Sequence, residues 1–409
     1  MTIKFEGFGY KLSYEDEGQA KIYEENGEQL KTINPDTGKE APYTEKEFNA
    51  KVRQATQRFM NRPIDHIIVL AGAGASVVVN NKGKIDQNFG KTVEMIAADI
   101  NKTLSSDPRL YSLKELGKRS KYPKPVSQNR KLDKTFNLED FLSNVINFEK
   151  YLSGSNSATK EKYIKTKNKI LELIKKNTDY RYDSNLFGHR KLINVLAEQM
   201  SGANKLAIVT TNYDTLFEEA GETEFTVFDG FTFSHKPKFD DDMFEWTFSK
   251  EITDIPTREI EYKQKIFDLL KIHGSISWES DGSNVYRKNP KYISRPVMIF
   301  PSSNKFMESY QEPYFQLFSR FQDMLRQPNT LLITTGFSFS DMHISRMIIQ
   351  AITHNPSFYT LVTDFSVDQN GDAWEDLRGL MESKDGVAFL RTTLNTDLAE
   401  YLAREEYDD

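Results

Sequence analysis

Four short apolar runs, each ending in a cluster of small and polar residues, set the rhythm of this chain. Ile67-Ile68-Val69-Leu70 is rich in β-branched residues and unbroken by polar ones, as expected of a parallel strand buried on both faces. Leu206 to Thr210, the run ending at His273-Gly274-Ser275, and Leu331 to Thr335 repeat that pattern, and Tyr359 to Asp364 supplies a further strand. The period changes between the first two strands. Leu138, Phe141, Leu142, Val145 and Ile146 share one helical face behind Asn137, a residue suited to capping. A second helix is expected at about 160–176 and a third from about Leu186 to Met200, carrying His189; no strand pattern interrupts the block. Upstream, residues 44–62 read as a helix capped by Thr44, and Asn26-Gly27 marks a hairpin turn in a small antiparallel element.

Strands alternating with helices predict an α/β fold, a Rossmann-like doubly wound parallel sheet. The expected division is a β-rich extension at 1–45 and one nucleotide-binding domain at 46–409, with a helical insertion at about 91–200. The clusters after the four strands are Gly72-Ala73-Gly74-Ala75-Ser76, Thr211-Asn212-Tyr213-Asp214, Lys271-Ile272-His273-Gly274-Ser275 and Gly336 to Asp341. In an open parallel sheet all four fall on the carboxyl edge, where ligands bind.

Composition narrows the chemistry. The 409 residues, 38% hydrophobic and 28% charged, can bury a sizeable core. Cysteine is absent, which excludes disulfides, a thiol nucleophile and cysteine-ligated zinc, and fits a reducing cytoplasm. No metal site is expected. No run is long enough for a membrane helix and no secretion signal is visible, so no membrane partner is expected. The net charge of −6 gives no general attraction to nucleic acid. One basic run, Lys114 to Lys134, reads as a solvated loop, with contact to nucleic acid or a protein partner as the alternative.

Each cluster carries candidate chemistry. Gly72 suits a tight turn, Gly74 a close approach to a diphosphate, and a helix starting at Ser76 would add free N–H groups. The third glycine of the dinucleotide fingerprint is missing, since Val77 stands there. Asn212 can hold a ribose hydroxyl or a water, and Asp214 either orients it or caps the next helix. His273 can take a proton from a ribose hydroxyl or from water. Gly336 and Ser338 suit the diphosphate or the adenosine side. Asp341 reads as a helix cap, His343 as structural, and Asp364 as a contact to a ribose or adenine edge.

These clusters, in this order, resemble the sirtuin family. GAGAS looks like its first nucleotide-binding motif, TTNYD like its Thr-Gln-Asn-Ile-Asp segment, KIHGS like its catalytic-histidine motif and TTGFSFSD like its Gly-Thr-Ser segment. The resemblance implies NAD as substrate, with Asn212 and His273 in catalytic roles and Asp214 supporting. It assigns cofactor contacts to Gly72, Gly74, Ser76, Gly336 and Ser338, and we add Thr211 and Asp364 to that set. Two departures stand out. The four-cysteine zinc ribbon of the family's deacetylases is absent, and VVVNNKGKID replaces their Pro-Asp-Phe-Arg stretch. The helical insertion resembles instead divergent bacterial members that degrade NAD in anti-phage defence. Some of these work with a HerA-type ATPase or another activating partner, and a homo-oligomer is expected.

The resulting expectation is an NAD glycohydrolase. Water would replace the acyl-lysine oxygen of a deacylase, giving nicotinamide and ADP-ribose, or a cyclised product if an adenine nitrogen attacks first. The alternatives are a zinc-free NAD-dependent deacylase and a non-catalytic subunit that holds NAD or ADP-ribose. A nuclease subunit ranks lower, because no metal-binding carboxylate cluster supports it.

Overall fold

The computed structural model describes residues 1–404 except 18–19, 35–37, 80–84, 87–88, 129–130, 155–156, 253–258 and 299–312. Its centre is an eleven-stranded sheet. In chain order the strands are β1 (Thr2–Gly7), β2 (Tyr10–Glu17), β3 (Ala20–Glu25), β4 (Glu28–Gln29), β5 (His66–Ala71), β6 (Leu206–Thr210), β7 (Thr226–Phe228), β8 (Ile266–Lys271), β9 (Thr330–Thr335), β10 (Phe358–Asp364) and β11 (Val387–Arg391). They lie side by side in the order β7-β8-β6-β5-β9-β10-β11-β1-β2-β3-β4. The seven strands from β7 to β11 in that order are parallel. The α/β, doubly wound architecture is therefore present.

Strand order fixes where the site lies. From β5 the chain builds outward through β6, then returns to the other side of β5 as β9. The order thus reverses between β5 and β9, and the crevice at such a switch point is where ligands bind in these sheets. The N-terminal strands join the same sheet: β1 pairs antiparallel with β11, Phe5 opposite Leu390. Asn26 and Gly27 both take positive φ at the β3–β4 turn, as the Asn-Gly pair requires.

Alternation within buried strands supplies two cores. Ile67, Val69 and Ala71 face one way, towards α1 (Glu45–Met60) and the C-terminal elements, whereas Ile68 and Leu70 join the opposite cluster. Thr44 caps α1 in a reciprocal capping box with Glu47. The insertion holds α2 (Val93–Ser106), α3 (Leu113–Arg119), α4 (Leu138–Glu149), α5 (Ser157–Thr178) and α6 (His189–Ala197). Its first four helices close a core of their own around Ile100, Leu116, Phe141, Leu142 and Tyr163. Further on come α7 (Leu216–Gly221), α8 (Tyr314–Arg326), α9 (Met342–His354), α10 (Asp372–Ser383) and α11 (Leu398–Leu402).

Three expectations are corrected. Ala73–Ser76 forms a single 3-10 turn, not the start of a helix; the next helix begins at Val93. Part of the replacement stretch, 80–84, lies outside the described residues. The basic run is not all loop: it opens as α3, capped by Ser112 with Glu115. It then forms a two-residue ladder, Ser127–Gln128 against Lys131–Leu132, so a short hairpin does interrupt the helical block.

His189 is fully buried on α6, against Phe217 and Phe187, and neither ring nitrogen has a hydrogen-bond partner. Burial, with a smaller push from the Lys271 charge, drives its pKa from 6.5 to about 3. The unfolded chain therefore binds more protons between those two values, and stability falls as pH drops through that window. This group alone costs ~1 kcal/mol per pH unit. Asp268, raised by burial to about 6, acts with the opposite sign, so the comparison must be made within one background. His189→Phe is expected to lose less of its urea midpoint than the wild type between pH 7 and pH 5. Parallel curves would remove His189 as the source.

Candidate functional site

Two glycine loops meet at the switch point. The Gly72 N–H donates to the Thr335 carbonyl at 3.0 Å, and the Gly74 N–H to the Gly336 carbonyl at 2.9 Å. A Cβ at Gly72 would stand 2.5 Å from the Gly336 oxygen, and one at Gly74 would stand 2.7 Å from the Gly336 Cα. Gly336 itself has φ +57, and its Cβ would reach 2.4 Å from the Ala75 nitrogen. The glycines are thus required first by loop-to-loop contact. Gly72 is extended and makes no tight turn, contrary to the reading of the sequence. Together the loops form the floor of a cavity of about 1230 Å³.

Asn212 lies just behind that floor. Its Nδ2 donates to the Gly72 carbonyl and to Ser76 Oγ, both at 2.9 Å. Ser76 Oγ in turn donates to Asp214 Oδ2 at 2.6 Å. Both amide protons are thereby used, which fixes the amide's orientation. Among the described residues no donor reaches its Oδ1. Asp214 Oδ1 accepts from the Leu216 N–H at the start of α7. Burial pushes the Asp214 carboxyl up, while the Lys271 charge and the Ser76 hydroxyl pull it down. Lys271 is itself buried; its ammonium donates to the Asp214 carbonyl and lies 3.2 Å from Glu218 Oε1. Asp214 therefore steadies Asn212 through Ser76 and also engages the helix start.

The imidazole arrives from the neighbouring strand. Thr210 of β6 pairs with Lys271 of β8, and Asn212 and His273 each follow two residues later. They leave the sheet at the same level on adjacent strands. His273 lines the cavity with its side chain 5% exposed, and its Nε2 lies 3.4 Å from Asp341 Oδ2. The other oxygen of Asp341 accepts from the His343 and Ile344 N–H groups, capping α9 as expected. Phe339 holds that loop in place. Its φ is +57, which costs a bulky residue ~1 kcal/mol. The buried ring packs against Phe337 and Trp374, and the Trp374 indole donates to the Ser338 carbonyl.

Seven of the ten residues nominated from sequence line the cavity: Gly72, Gly74, Thr211, His273, Gly336, Ser338 and Asp364. Asn212, Ser76 and Asp214 form the hydrogen-bonded chain behind it, so Ser76 turns inward to the amide. Ser338 Oγ is hydrogen-bonded to Ser340 at 2.8 Å. Asp364 accepts from Gln369 and from the Ser366 N–H, and burial raises its pKa. Sequence reasoning missed the opposite wall. The first turns of α2 and α4 bring Glu94, Glu139 and Asp140 to the cavity. From α9 come His343, exposed and set against Phe318 rather than in the core, and Arg346. Arg346 has no ion-pair partner among the described residues. Its position three residues after His343 on one helix face was the available signal.

Comparison with known proteins agrees with this geometry. A family model described as a SIR2-like domain matches residues 206–384, and over that stretch the chain is sirtuin-like. The match takes in the second, third and fourth clusters; β5 brings the first to them. It implies an NAD-related, sirtuin-type function. No curated protein matches the sequence. Among the described residues there is no group of three His, Asp or Glu that could hold a metal ion, and no helix long and apolar enough to cross a membrane.

Proposed function

We propose that the chain hydrolyses the nicotinamide–ribose bond of NAD, giving nicotinamide and ADP-ribose. The observation that carries this is the pairing of an immobilised amide, whose Oδ1 no described donor reaches, and a buried His–Asp pair beside a cavity floored by backbone. Its volume exceeds the ~300–1,000 Å³ common for small-ligand pockets, which suits a dinucleotide. The Gly72–Gly74 and Gly336 loops and Arg346 would take the diphosphate, and Asp364 a ribose hydroxyl. Nicotinamide is a cationic leaving group, and its departure leaves positive charge on the ribose. Asn212 Oδ1 would accept a hydrogen bond from the attacking water. His273 would remove a proton from that water or from a ribose hydroxyl, and Asp341 would steady the charge the imidazole gains.

The test of this reading is peptide dependence. Nicotinamide release from NAD alone is expected, at a rate unchanged by acetyl-lysine peptide. Release that requires the peptide would favour the zinc-free deacylase, and saturable binding without turnover, even with the activating partner present, the non-catalytic subunit. Constitutive loss of NAD would kill a host cell, so the activity needs a gate. An effector of anti-phage defence, assembled as a homo-oligomer and switched by a HerA-type ATPase or another partner, meets that need. Cytoplasmic location follows from the same reading.

Asp341 separates support from capping. Asparagine keeps the α9 cap and loses the charge facing His273. Asp341→Asn is expected to lower kcat by ~10-fold or more while leaving the thermal midpoint nearly unchanged. A neighbouring carboxylate favours the imidazolium, so its removal should move the acid limb of the pH–rate profile to lower pH. An unmoved limb would restrict Asp341 to capping.

A further inference from the structure

A second hollow, about 520 Å³, opens where the segment leaving the first glycine loop meets the start of α6. Arg181, Arg190, Tyr182, Phe89, Ser184 and Asp183 line it. The Arg190 Nε donates to the Ala220 carbonyl at 3.0 Å, and its guanidinium carbon lies 5.3 Å from the Tyr182 ring centroid. That fixes the group while leaving its two terminal nitrogens without a described acceptor. Arg181 has no described acceptor at all. Neither guanidinium has a carboxylate within 4 Å among the described residues. Asp183, in the same hollow, is taken up locally, its Oδ1 accepting from the Asn185 N–H and side-chain amide. The hollow thus holds two guanidinium charges against the single Asp183 carboxylate, and a bound anion would offset the excess. A planar fork of donors matches the paired oxygens of a phosphate or a carboxylate. The Tyr182 and Phe89 rings add apolar wall that a bare phosphate would not use.

We propose that this hollow is a second binding site, separate from the main cavity, for a nucleoside phosphate. The guanidinium groups take the phosphate and the aromatic walls take the ring. Its position bears on the main site. The next residue, Gly90, has φ +58 and packs directly on the first loop, where a Cβ would stand 1.7 Å from the Ser76 carbonyl oxygen. The hollow therefore shares a wall with the segment that supports Ser76. The proposal does not depend on what the main cavity does to NAD.

The test uses the full chain and ADP as probe, by titration calorimetry. The main cavity also has room for ADP, so the quantity read is the class of sites lost on substitution. Arg181 is exposed and without a partner among the described residues, so Arg181→Gln should fold normally and weaken that class ~10-fold, the loss of one charged hydrogen bond. Arg190→Lys should weaken it similarly, since the charge stays but the fork is lost. Arg181→Gln with Arg190→Gln should bind one ADP fewer per chain, with a melting curve confirming the fold. The proposal is overturned if the double variant binds ADP with wild-type stoichiometry and affinity. It is also overturned if inorganic phosphate fills the site as tightly as ADP.

Discussion

Replacing His273 with alanine is expected to slow NAD loss by ~10²–10⁴-fold, the range for removal of an acid–base group. The side chain lines the main cavity, is nearly excluded from solvent and faces Asp341 at 3.4 Å. His343 also lines the cavity, but it comes from α9 and is exposed, and the ion contact to Asp341 is made by His273. Structural damage should be small, because the imidazole stands at a cavity wall and truncation leaves room for water. The Asp341 carboxylate loses a partner but keeps its two cap hydrogen bonds. The effect should therefore fall on kcat, with KM for NAD within a few-fold. A His273→Ala protein that folds normally and turns NAD over at the wild-type rate would remove the imidazole from the mechanism.

Asn212→Ala is expected to have an effect of the same order, for a different reason. The amide is the end of a chain that runs through Ser76 to Asp214, with Lys271 beneath. Its loss deletes the Oδ1 acceptor and takes one donor from the Gly72 carbonyl, which keeps the Ala75 N–H, and one from the Ser76 hydroxyl, which keeps its bond to Asp214. Since both groups keep a partner, the loss should cost ~1 kcal/mol of stability per hydrogen bond. Asn212→Asp is the sharper comparison. It keeps the shape but turns the two Nδ2 donors into an acceptor facing the Gly72 oxygen, with the Asp214 carboxyl one hydroxyl away. Loss of activity comparable to alanine, with a further drop in melting temperature, is expected. If Asn212→Asp were active, donation by the amide to Gly72 and Ser76 would not matter.

The strands were readable because burial on both faces leaves no polar interruption, and β6 ends at Thr210 as the pattern requires. The carboxyl-edge placement of the clusters followed from parallel pairing alone. The 3-10 turn at Ala73–Ser76 was not readable, because its shortness is set by contact with Gly336, 260 residues away. Asp341 was visible as a cap, since capping is local. Its second oxygen facing His273 depends on how β8 and β9 flank the same crevice. Ser76 was assigned a ligand contact through the family resemblance of its motif; here Asn212 and Asp214 claim it. Nothing in the sequence marked Lys271 as buried; the structure places it under Asp214. The insertion's amphipathic helices announced their own core, but not that the first turns of α2 and α4 would wall the cavity.

The most direct test follows NAD carrying carbon-13 at C1 of the nicotinamide riboside, by NMR, with wild-type chain and with His273→Ala. The wild type, with its activating partner if one is required, should convert the glycosidic resonance into the two anomeric hemiacetal signals of ADP-ribose, with free nicotinamide in equal amount. His273→Ala should leave the starting resonance standing. An unchanged spectrum with the assembled wild-type protein, or equal conversion by both proteins, would contradict the account.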